Sequence, residues 1–210
     1  MENREIREVL HFTRIENLPG IFEHGLLSRS DLQHADYDVY PSDGDRLDQD
    51  NDVISVSISC YYPKMFEAKR FRSGNGVWAV LIFDSRILWE CSCRFFANGV
   101  TTNATKYEHG KRYGGFALEK MFSDYSPRGD SNRPSFRAEH GLPPSWPTSP
   151  DAEVQVSSPV PISYLLGAWV EMFEHGILIQ RLFEEYGFDS CEVVVHSFRP
   201  RIQCSRYCWG

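Results

Sequence analysis

Residues 123–150 constrain more than any other segment what this chain can fold into. These 28 residues hold six of the chain's twelve prolines and few aliphatic side chains. Proline lacks the amide hydrogen that helices and sheets use, so neither a long helix nor a central strand can run through them. A connection this long is either a functional loop or a disordered linker. For 210 residues we predict one domain, 1–210, with a long loop at about 123–150.

Short apolar segments on both sides of this loop predict an α+β fold. Residues with alternating or continuous apolar character predict strands at 5–13, 53–60, 77–83, 152–156 and 191–196. Apolar residues at helical spacing, or a proline at the first turn, predict helices at 15–24, 62–72 and 177–186. Gly25 is a natural stop for the first of these helices.

The net charge of −7 is unevenly distributed along the chain. Residues 1–59 carry −8, residues 60–140 carry +5 and residues 141–210 carry −4. Binding of a polyanion depends on local neutralisation of its phosphates, so the basic middle leaves a nucleic-acid partner open. Ordinary clustering of surface charges is the alternative.

Composition also bears on location and metal content. No run approaches the roughly 18 apolar residues of a membrane helix, and the first five residues lack the basic start of a secretory signal. We therefore expect a cytoplasmic protein. The spacing of Cys91-Ser-Cys93 and Cys204-x3-Cys208 is poor for zinc, so we expect no metal.

Two residues in the first third of the chain have the chemistry to hold a phosphorylated ligand. His11, in His11-Phe12-Thr13 at a strand end beside a helix and glycine turn, could hydrogen-bond ribose hydroxyls. Arg46, just before the second predicted strand, could pair with a pyrophosphate through its planar guanidinium group. Taken singly, each also fits an ordinary role, as a strand cap or a surface ion-pair residue.

Glu153 is the candidate catalytic carboxylate. In the strand that follows the proline-rich loop, it shares a face with Asp151 and Gln155, while the apolar residues point the other way. A carboxylate held there could polarise a ribose 2′-hydroxyl or accept a proton. A solvent-facing glutamate is the alternative.

Together these segments resemble the DarT family of DNA ADP-ribosyltransferase toxins over roughly residues 8–165. The resemblance rests on His-Phe-Thr-x3-Asn-Leu-x2-Ile-x3-Gly-Leu-Leu from His11, on Arg46-Leu47-Asp48 and on Asp151-Ala152-Glu153-Val154-Gln155-Val156 with Pro159 and Pro161. Residues 46–66 and 96–104 look more like the type-1 branch, whose target is guanine, than the thymidine-modifying type-2 branch.

The resemblance implies an ADP-ribosyltransferase fold, with two small packed β-sheets forming a cleft for NAD⁺ and helices around them. It also implies that NAD⁺ is the co-substrate, that Glu153 and Arg46 are catalytic, and that single-stranded DNA is the acceptor. The residues expected to bind NAD⁺ are His11, Thr13, Asn17, Gly25, Arg46, Ser57 and Ser59. An antitoxin hydrolase of the macrodomain or NADAR type would reverse the modification, and phage defence is the implied role.

The substrate loop at about 123–150 offers aromatic and basic residues for a flipped base and its neighbouring phosphates. Aromatic rings interleaved with arginines suit a single-strand groove. The candidates for DNA binding are Tyr125, Arg128, Arg133, Phe136, Arg137 and Trp146. A mobile loop with incidental charges is the alternative.

Three other functions stay open at this point. One is thymidine as the acceptor, and a second is an RNA-directed NAD⁺-dependent transferase similar to the tRNA 2′-phosphotransferases. The third is a catalytically inactive module that binds nucleic acid or NAD⁺, which the presence of His11, Arg46 and Glu153 disfavours.

Overall fold

The computed structural model describes residues 4–41, 50–74, 76–99, 112–124 and 134–198. Its strands are β1 (Glu8–Arg14), β2 (Val53–Ile58), β3 (Trp78–Asp84), β4 (Cys93–Phe96), β5 (Glu153–Ser157), β6 (Leu165–Val170) and β7 (Glu192–Val195). Its helices are α1 (Leu18–His24), α2 (Arg29–Leu32), α3 (Pro63–Arg72), α4 (Ile87–Glu90), α5 (Gly114–Met121), α6 (Phe136–Glu139) and α7 (Phe173–Glu185). Among the residues described, no helix is long and apolar enough to cross a membrane.

The described strands form a sheet in the order β4-β5-β2-β1-β3-β6-β7. Neighbouring strands are antiparallel except β6 and β7, which are parallel. β1 pairs with β3 along its whole length, but with β2 only at Val9–Ile58 and Leu10–Ser57. Past Leu10 the two strands stop pairing, so the sheet has two halves, β4-β5-β2 and β1-β3-β6-β7, joined at one end. The α+β prediction is confirmed, although the described strands form one seven-stranded sheet with two halves and not two separate packed sheets.

The main core lies on one face of the sheet. On β5, Val154 is fully buried in this core, whereas Glu153 and Gln155 occupy the opposite face, as the strand alternation predicted. The helices α1 and α7 pack against the same core, where the rings of Phe22 and Phe183 lie 5.4 Å apart. Burying one side of β5 in this way fixes the direction in which Glu153 points.

A second, aromatic cluster covers the opposite face of the β1-β3-β6 half. α3 closes it with Phe66, whose ring lies 4.8 Å from that of Phe12 and 5.6 Å from that of Trp78. At the end of the described chain, Phe198 packs on Phe66, and its carbonyl accepts a hydrogen bond from the Tyr61 hydroxyl. This cluster covers only one half of that face, and Glu153 lies on the other half.

Two strands were missed by the sequence pattern. β4 has only four residues, too few to show a clear alternation of apolar and polar side chains. β6 contains Gly167, and a glycine within an apolar run usually indicates an interruption of the strand. A Cβ on Gly167 would lie 2.2 Å from the carbonyl oxygen of Glu192, so the glycine allows β7 to approach β6. The glycine that obscured the strand in the sequence is therefore what allows its pairing.

Candidate active site

Glu153 is held by a serine of the neighbouring strand. The Ser55 hydroxyl donates a 2.5 Å hydrogen bond to Oε1 of Glu153. In the β2–β5 ladder Ser55 lies opposite Gln155, so the bond runs diagonally across the face that carries both polar side chains. A carboxylate that accepts a short hydrogen bond from a strand residue is restricted in both rotation and position.

The backbone of the same serine holds His11. The Nδ1 atom of His11 lies 3.0 Å from the carbonyl oxygen of Ser55. A carbonyl only accepts, so Nδ1 carries the hydrogen, and neutral His11 presents Nε2 as an acceptor. The bond forms at the place where β1 and β2 stop pairing, so the imidazole replaces a missing backbone partner.

His11 is neutral at physiological pH. Burial, the largest cause, and the nearby charge of Lys69 together lower its pKa to about 4, and the hydrogen bond to the Ser55 carbonyl partly opposes this shift. Lys69 extends from α3 over the ring of Phe12, with Nζ 5.2 Å from the ring centre. This end of the split therefore combines an uncharged acceptor with a cation, which suits a ligand that carries both hydroxyls and phosphates.

The side chain of Asn17 forms hydrogen bonds with Thr13 and with the backbone of Tyr40. The Asn17 carboxamide donates to the Thr13 hydroxyl at 3.1 Å and to the Tyr40 carbonyl at 2.9 Å, and accepts from the Tyr40 amide at 2.8 Å. Thr13 is buried. Both residues were predicted to bind NAD⁺, and these bonds give them a part in positioning the backbone at Tyr40.

Gly25 has a structural requirement of its own. Its φ is 80°, and a Cβ there would lie 2.4 Å from the carbonyl oxygen of Val160. Leu26 and Val160 pair through their backbones directly beside it. The glycine therefore lets α1 end against the segment that follows β5.

The NAD⁺-binding roles predicted for Ser57 and Ser59 stay predictions. Ser57 lies opposite Leu10 and is buried, and Ser59 lies past the end of β2 with a φ of 52°. The serine that contacts Glu153 is Ser55, two residues earlier on the same face. The alternation Ser55-x-Ser57-x-Ser59 shows that these serines share one face of the strand. It does not show which of them contacts Glu153.

The prediction that Arg137 contacts DNA phosphates is wrong. Its guanidinium donates to the carbonyls of Trp146 and Pro143, both at 2.7 Å, and to the Thr148 hydroxyl at 2.9 Å. Arg137 is 8% exposed and its charge faces inward. It holds the second half of the long loop together, because buried carbonyls need donors.

Phe136 is likewise not a stacking platform on the surface. It is buried against Cys60 and Leu142, and its ring lies 4.2 Å from that of His140. Trp146 is partly buried against this same small cluster. Tyr125, Arg128 and Arg133 lie outside the described residues, as does Arg46, which was predicted to bind NAD⁺.

The other flank of Glu153 is formed by β4, which the sequence analysis missed. Phe96 lies opposite Glu153 and Arg94 opposite Gln155. The Arg94 guanidinium forms an ion pair with Asp50. Glu153 thus has Ser55 and His11 on the side of β2 and β1. On the side of β4 it has Phe96 and Arg94.

A groove of about 430 Å³ lies at the other end of the sheet, between α7 and β7. Phe173, Ile177 and Val195 are among its lining residues. β7 and β5 are separated by four strands, so this groove is remote from Glu153. In the described part of the chain, no group of three or more His, Cys, Asp or Glu side chains could hold a metal ion.

The sequence matches, over residues 10–199, the protein family described as ssDNA thymidine ADP-ribosyltransferase, DarT. The chain belongs to the DarT family. It is therefore a DNA ADP-ribosyltransferase, as the resemblance implied. None of the curated proteins matches the sequence.

Solved structures of DarT proteins share the fold. DarT of Thermus sp. 2.9 in complex with carba-NAD⁺ has a TM-score of 0.60 at 14% identity, covering 92% of this chain and 97% of that one. The same protein in complex with ADP-ribosylated ssDNA has a TM-score of 0.54 at 14% identity, with coverages of 93% and 95%. Thermosipho africanus DarTG in complex with ADP-ribose has a TM-score of 0.51 at 14% identity, covering 90% of this DarT-family chain and 50% of that one.

Proposed function

We propose that this DarT-family enzyme transfers ADP-ribose from NAD⁺ to a guanine base of single-stranded DNA, with Glu153 as the catalytic carboxylate. The observation that carries the proposal is the hydrogen-bonded series His11–Ser55–Glu153 at the split between the sheet halves. It combines a neutral acceptor for ribose hydroxyls with a carboxylate fixed in position. A single serine, Ser55, forms hydrogen bonds with both side chains.

The reaction exchanges one bond to the C1′ atom of the ribose. The bond to nicotinamide breaks and its electron pair leaves with nicotinamide, while a base nitrogen forms the new bond and gives up its proton. The state between them resembles the oxocarbenium ion of glycoside cleavage. Glu153 bonds the 2′-hydroxyl, stabilises the positive charge and takes the proton from the base nitrogen.

Four further residues have roles on the donor side. Nε2 of His11 accepts a hydrogen bond from a ribose hydroxyl on the adenosine side, while Arg46 pairs with the pyrophosphate. Lys69 extends over the ring of Phe12, the residue that follows His11, and its ammonium group adds positive charge for the phosphates. Ser55 holds the carboxylate of Glu153 and contributes through it.

The choice of guanine rests on the type-1 resemblance of residues 46–66 and 96–104. The description of the matching family names thymidine instead. The two acceptors give different modified nucleosides, so mass spectrometry of digested DNA distinguishes them. ADP-ribosyl-thymidine as the sole product would remove guanine and leave the transferase activity in place.

We also propose a biological setting, that of a toxin countered by a hydrolase of the macrodomain or NADAR type. It is supported by the Thermosipho africanus DarTG chain, of which this chain matches half. Such a hydrolase would cleave the bond between the ribose and the base. Phage defence and a cytoplasmic location are further predictions from the sequence.

The test of the proposed function uses NAD⁺ labelled in the adenosine half. It is incubated with the full chain and, separately, with single-stranded DNA, duplex DNA, RNA and protein. We expect label in single-stranded DNA and nicotinamide released in equal amount. Label in RNA or protein alone would overturn the DNA assignment, and loss of NAD⁺ without any labelled acceptor would make the chain a hydrolase.

A further inference from the structure

The outer side of α7 carries apolar side chains that the core does not use. Phe173 is 67% exposed, Ile177 is 41% exposed and Leu178 is 44% exposed. The helix packs on the core with its other side, through Ile179 and Phe183. Residues four apart lie on one side of a helix, so Phe173 and Ile177 form a continuous apolar strip.

The neighbouring strand extends this apolar surface to the edge of the sheet. β7 is the outermost strand on its side of the described sheet, and three of its four residues are valines. Val194 is 43% exposed and Val195 is 41% exposed. Val193 and Val195 line the groove between the strand and α7. Adjoining apolar side chains on a helix and an edge strand mark a contact with another molecule.

Two opposite charges flank the apolar centre of α7. Glu174 and Arg181 are both exposed, and neither forms an ion pair with another residue that the structure describes. They are seven residues apart, about two helical turns, so both lie on the side that carries Ile177 and Leu178. Along the outer side of the helix the order is therefore negative, apolar, apolar, positive.

This order is its own complement when the helix is reversed. In an antiparallel pair of α7 helices, with the two-fold axis between Ile177 and Leu178, Glu174 of each copy faces Arg181 of the other. Two ion pairs then form, one on each side of the apolar centre. A partner of unrelated sequence has no reason to match this symmetric order, so the charges favour a second copy of the chain.

The packing of α7 on β7 makes the same axis suitable for both elements. A Cβ on Gly176 would lie 2.8 Å from Cγ2 of Val195 and 3.7 Å from Cγ1 of Val193, so α7 crosses directly over β7. The helix connects β6 to the parallel strand β7 and therefore runs opposite to both. A two-fold axis perpendicular to the sheet at this edge makes the two helices, and also the two β7 strands, antiparallel neighbours.

We propose that α7 and β7 form a two-fold interface between two copies of this chain. The helices pack antiparallel through Ile177 and Leu178, Glu174 of each copy pairs with Arg181 of the other, and the outer edges of the β7 strands face each other. Four strands separate β7 from β5, so Glu153 of each copy lies away from the interface. The inference does not depend on the reaction that the site performs.

The test uses the full chain with these two charges reversed. Sedimentation equilibrium over about a hundredfold range of protein concentration gives the dissociation constant of the dimer. Glu174→Arg and Arg181→Glu each place like charges at both contacts, and the double variant places opposite charges there again. Arg86→Glu, which reverses an exposed charge outside α7 and β7, is the control. Thermal unfolding followed by circular dichroism checks that every variant is folded.

We expect the wild type to dimerise and each single reversal to raise the dissociation constant at least about tenfold, because like charges then face each other across the interface. The double variant and Arg86→Glu should dimerise like the wild type. An equimolar mixture of Glu174→Arg and Arg181→Glu chains should also form a dimer, since both contacts of the mixed pair join opposite charges.

Three results would overturn the proposal. If the wild type stays monomeric at every concentration, this face is covered by a different protein or by the chain beyond residue 198. If the wild type dimerises and neither reversal changes the dissociation constant, the dimer uses another surface. If the mixture of the two single variants stays monomeric while the wild type dimerises, Glu174 and Arg181 do not meet across a two-fold axis.

Discussion

The hydroxyl of Ser55 and the carboxylate of Glu153 are joined by a 2.5 Å hydrogen bond between β2 and β5, while the carbonyl of Ser55 holds His11 on β1. One serine therefore fixes two residues that belong to different halves of the sheet. Its position is set by the ladder with β5 and by the end of pairing with β1.

Replacing Ser55 with alanine should lower kcat by about tenfold, roughly 1.4 kcal/mol, because Glu153 loses the donor that orients it. The affinity for NAD⁺ should change less, since the backbone carbonyl that holds His11 remains. Initial rates of nicotinamide release measure the effect. Ser55→Thr should retain most activity, and Ser157→Ala, at an exposed position on β5, should match the wild type. An unchanged kcat in Ser55→Ala would show that the bond has no catalytic value.

Glu153→Gln should reduce transfer by at least about 100- to 1000-fold. The amide has the size of the carboxylate but lacks the negative charge that stabilises the oxocarbenium-like state. NAD⁺ affinity, measured by calorimetry, should stay within a few-fold. Glu192→Gln, at an exposed position on β7, is the control. Half of the wild-type rate in Glu153→Gln would refute the catalytic assignment.

The stability of the protein should fall as pH drops from about 6.5 toward 4, and His11 should account for part of the fall. Its pKa is about 4 when folded and 6.5 when unfolded, so between these values the unfolded chain binds a proton that the folded chain does not. Above pH 6.5 the contribution of His11 to the free energy of unfolding no longer changes with pH. Burial raises the pKa of Glu8, which acts with the opposite sign.

Urea unfolding of the wild type and of His11→Gln at pH 5, 6 and 7.5 isolates this contribution, because Glu8 is present in both proteins. The difference in unfolding free energy should shift in favour of the variant as pH decreases. Parallel curves for the two proteins would mean that His11 titrates normally in the folded state.

Asn17→Ala should weaken NAD⁺ binding, although the carboxamide already has partners within the protein. It makes a pair of hydrogen bonds with the backbone of Tyr40, six residues before Arg46. Their loss should cost about 1–3 kcal/mol of stability and misplace the segment that leads to Arg46. Calorimetry with NAD⁺ measures the first effect and urea unfolding the second. Tyr40→Phe keeps both bonds and should bind NAD⁺ like the wild type, and an equal loss in both variants would contradict this role.

Arg137→Ala should lower the free energy of unfolding by about 2–4 kcal/mol, because it leaves buried carbonyls and a hydroxyl without their donor. The salt dependence of DNA binding should not change, because the guanidinium faces the interior of the loop. Thermal or urea unfolding measures the first quantity, with exposed Arg86→Ala as control. A stable Arg137→Ala protein with a lower salt slope would return this arginine to the DNA surface.

The sequence by itself determined the fold class, the strand that carries Glu153 and the side of that strand on which Glu153 lies. These features are local, because a two-residue period assigns faces without knowledge of the neighbouring strands. The match to the DarT family confirms what the ordered motifs from His11 to Glu153 implied.

The tertiary structure alone decided which residues meet Glu153. Whether Ser55, Ser57 or Ser59 contacts it depends on the register of β2 against β5, which a one-face pattern leaves open in steps of two residues. The side chain of Arg137 points inward because the carbonyls of Trp146 and Pro143, which lie close to it in the folded loop, accept its hydrogen bonds. Phe96 lies 57 residues before Glu153 and comes to lie opposite it only because β4 pairs with β5, a long-range contact with no local signal.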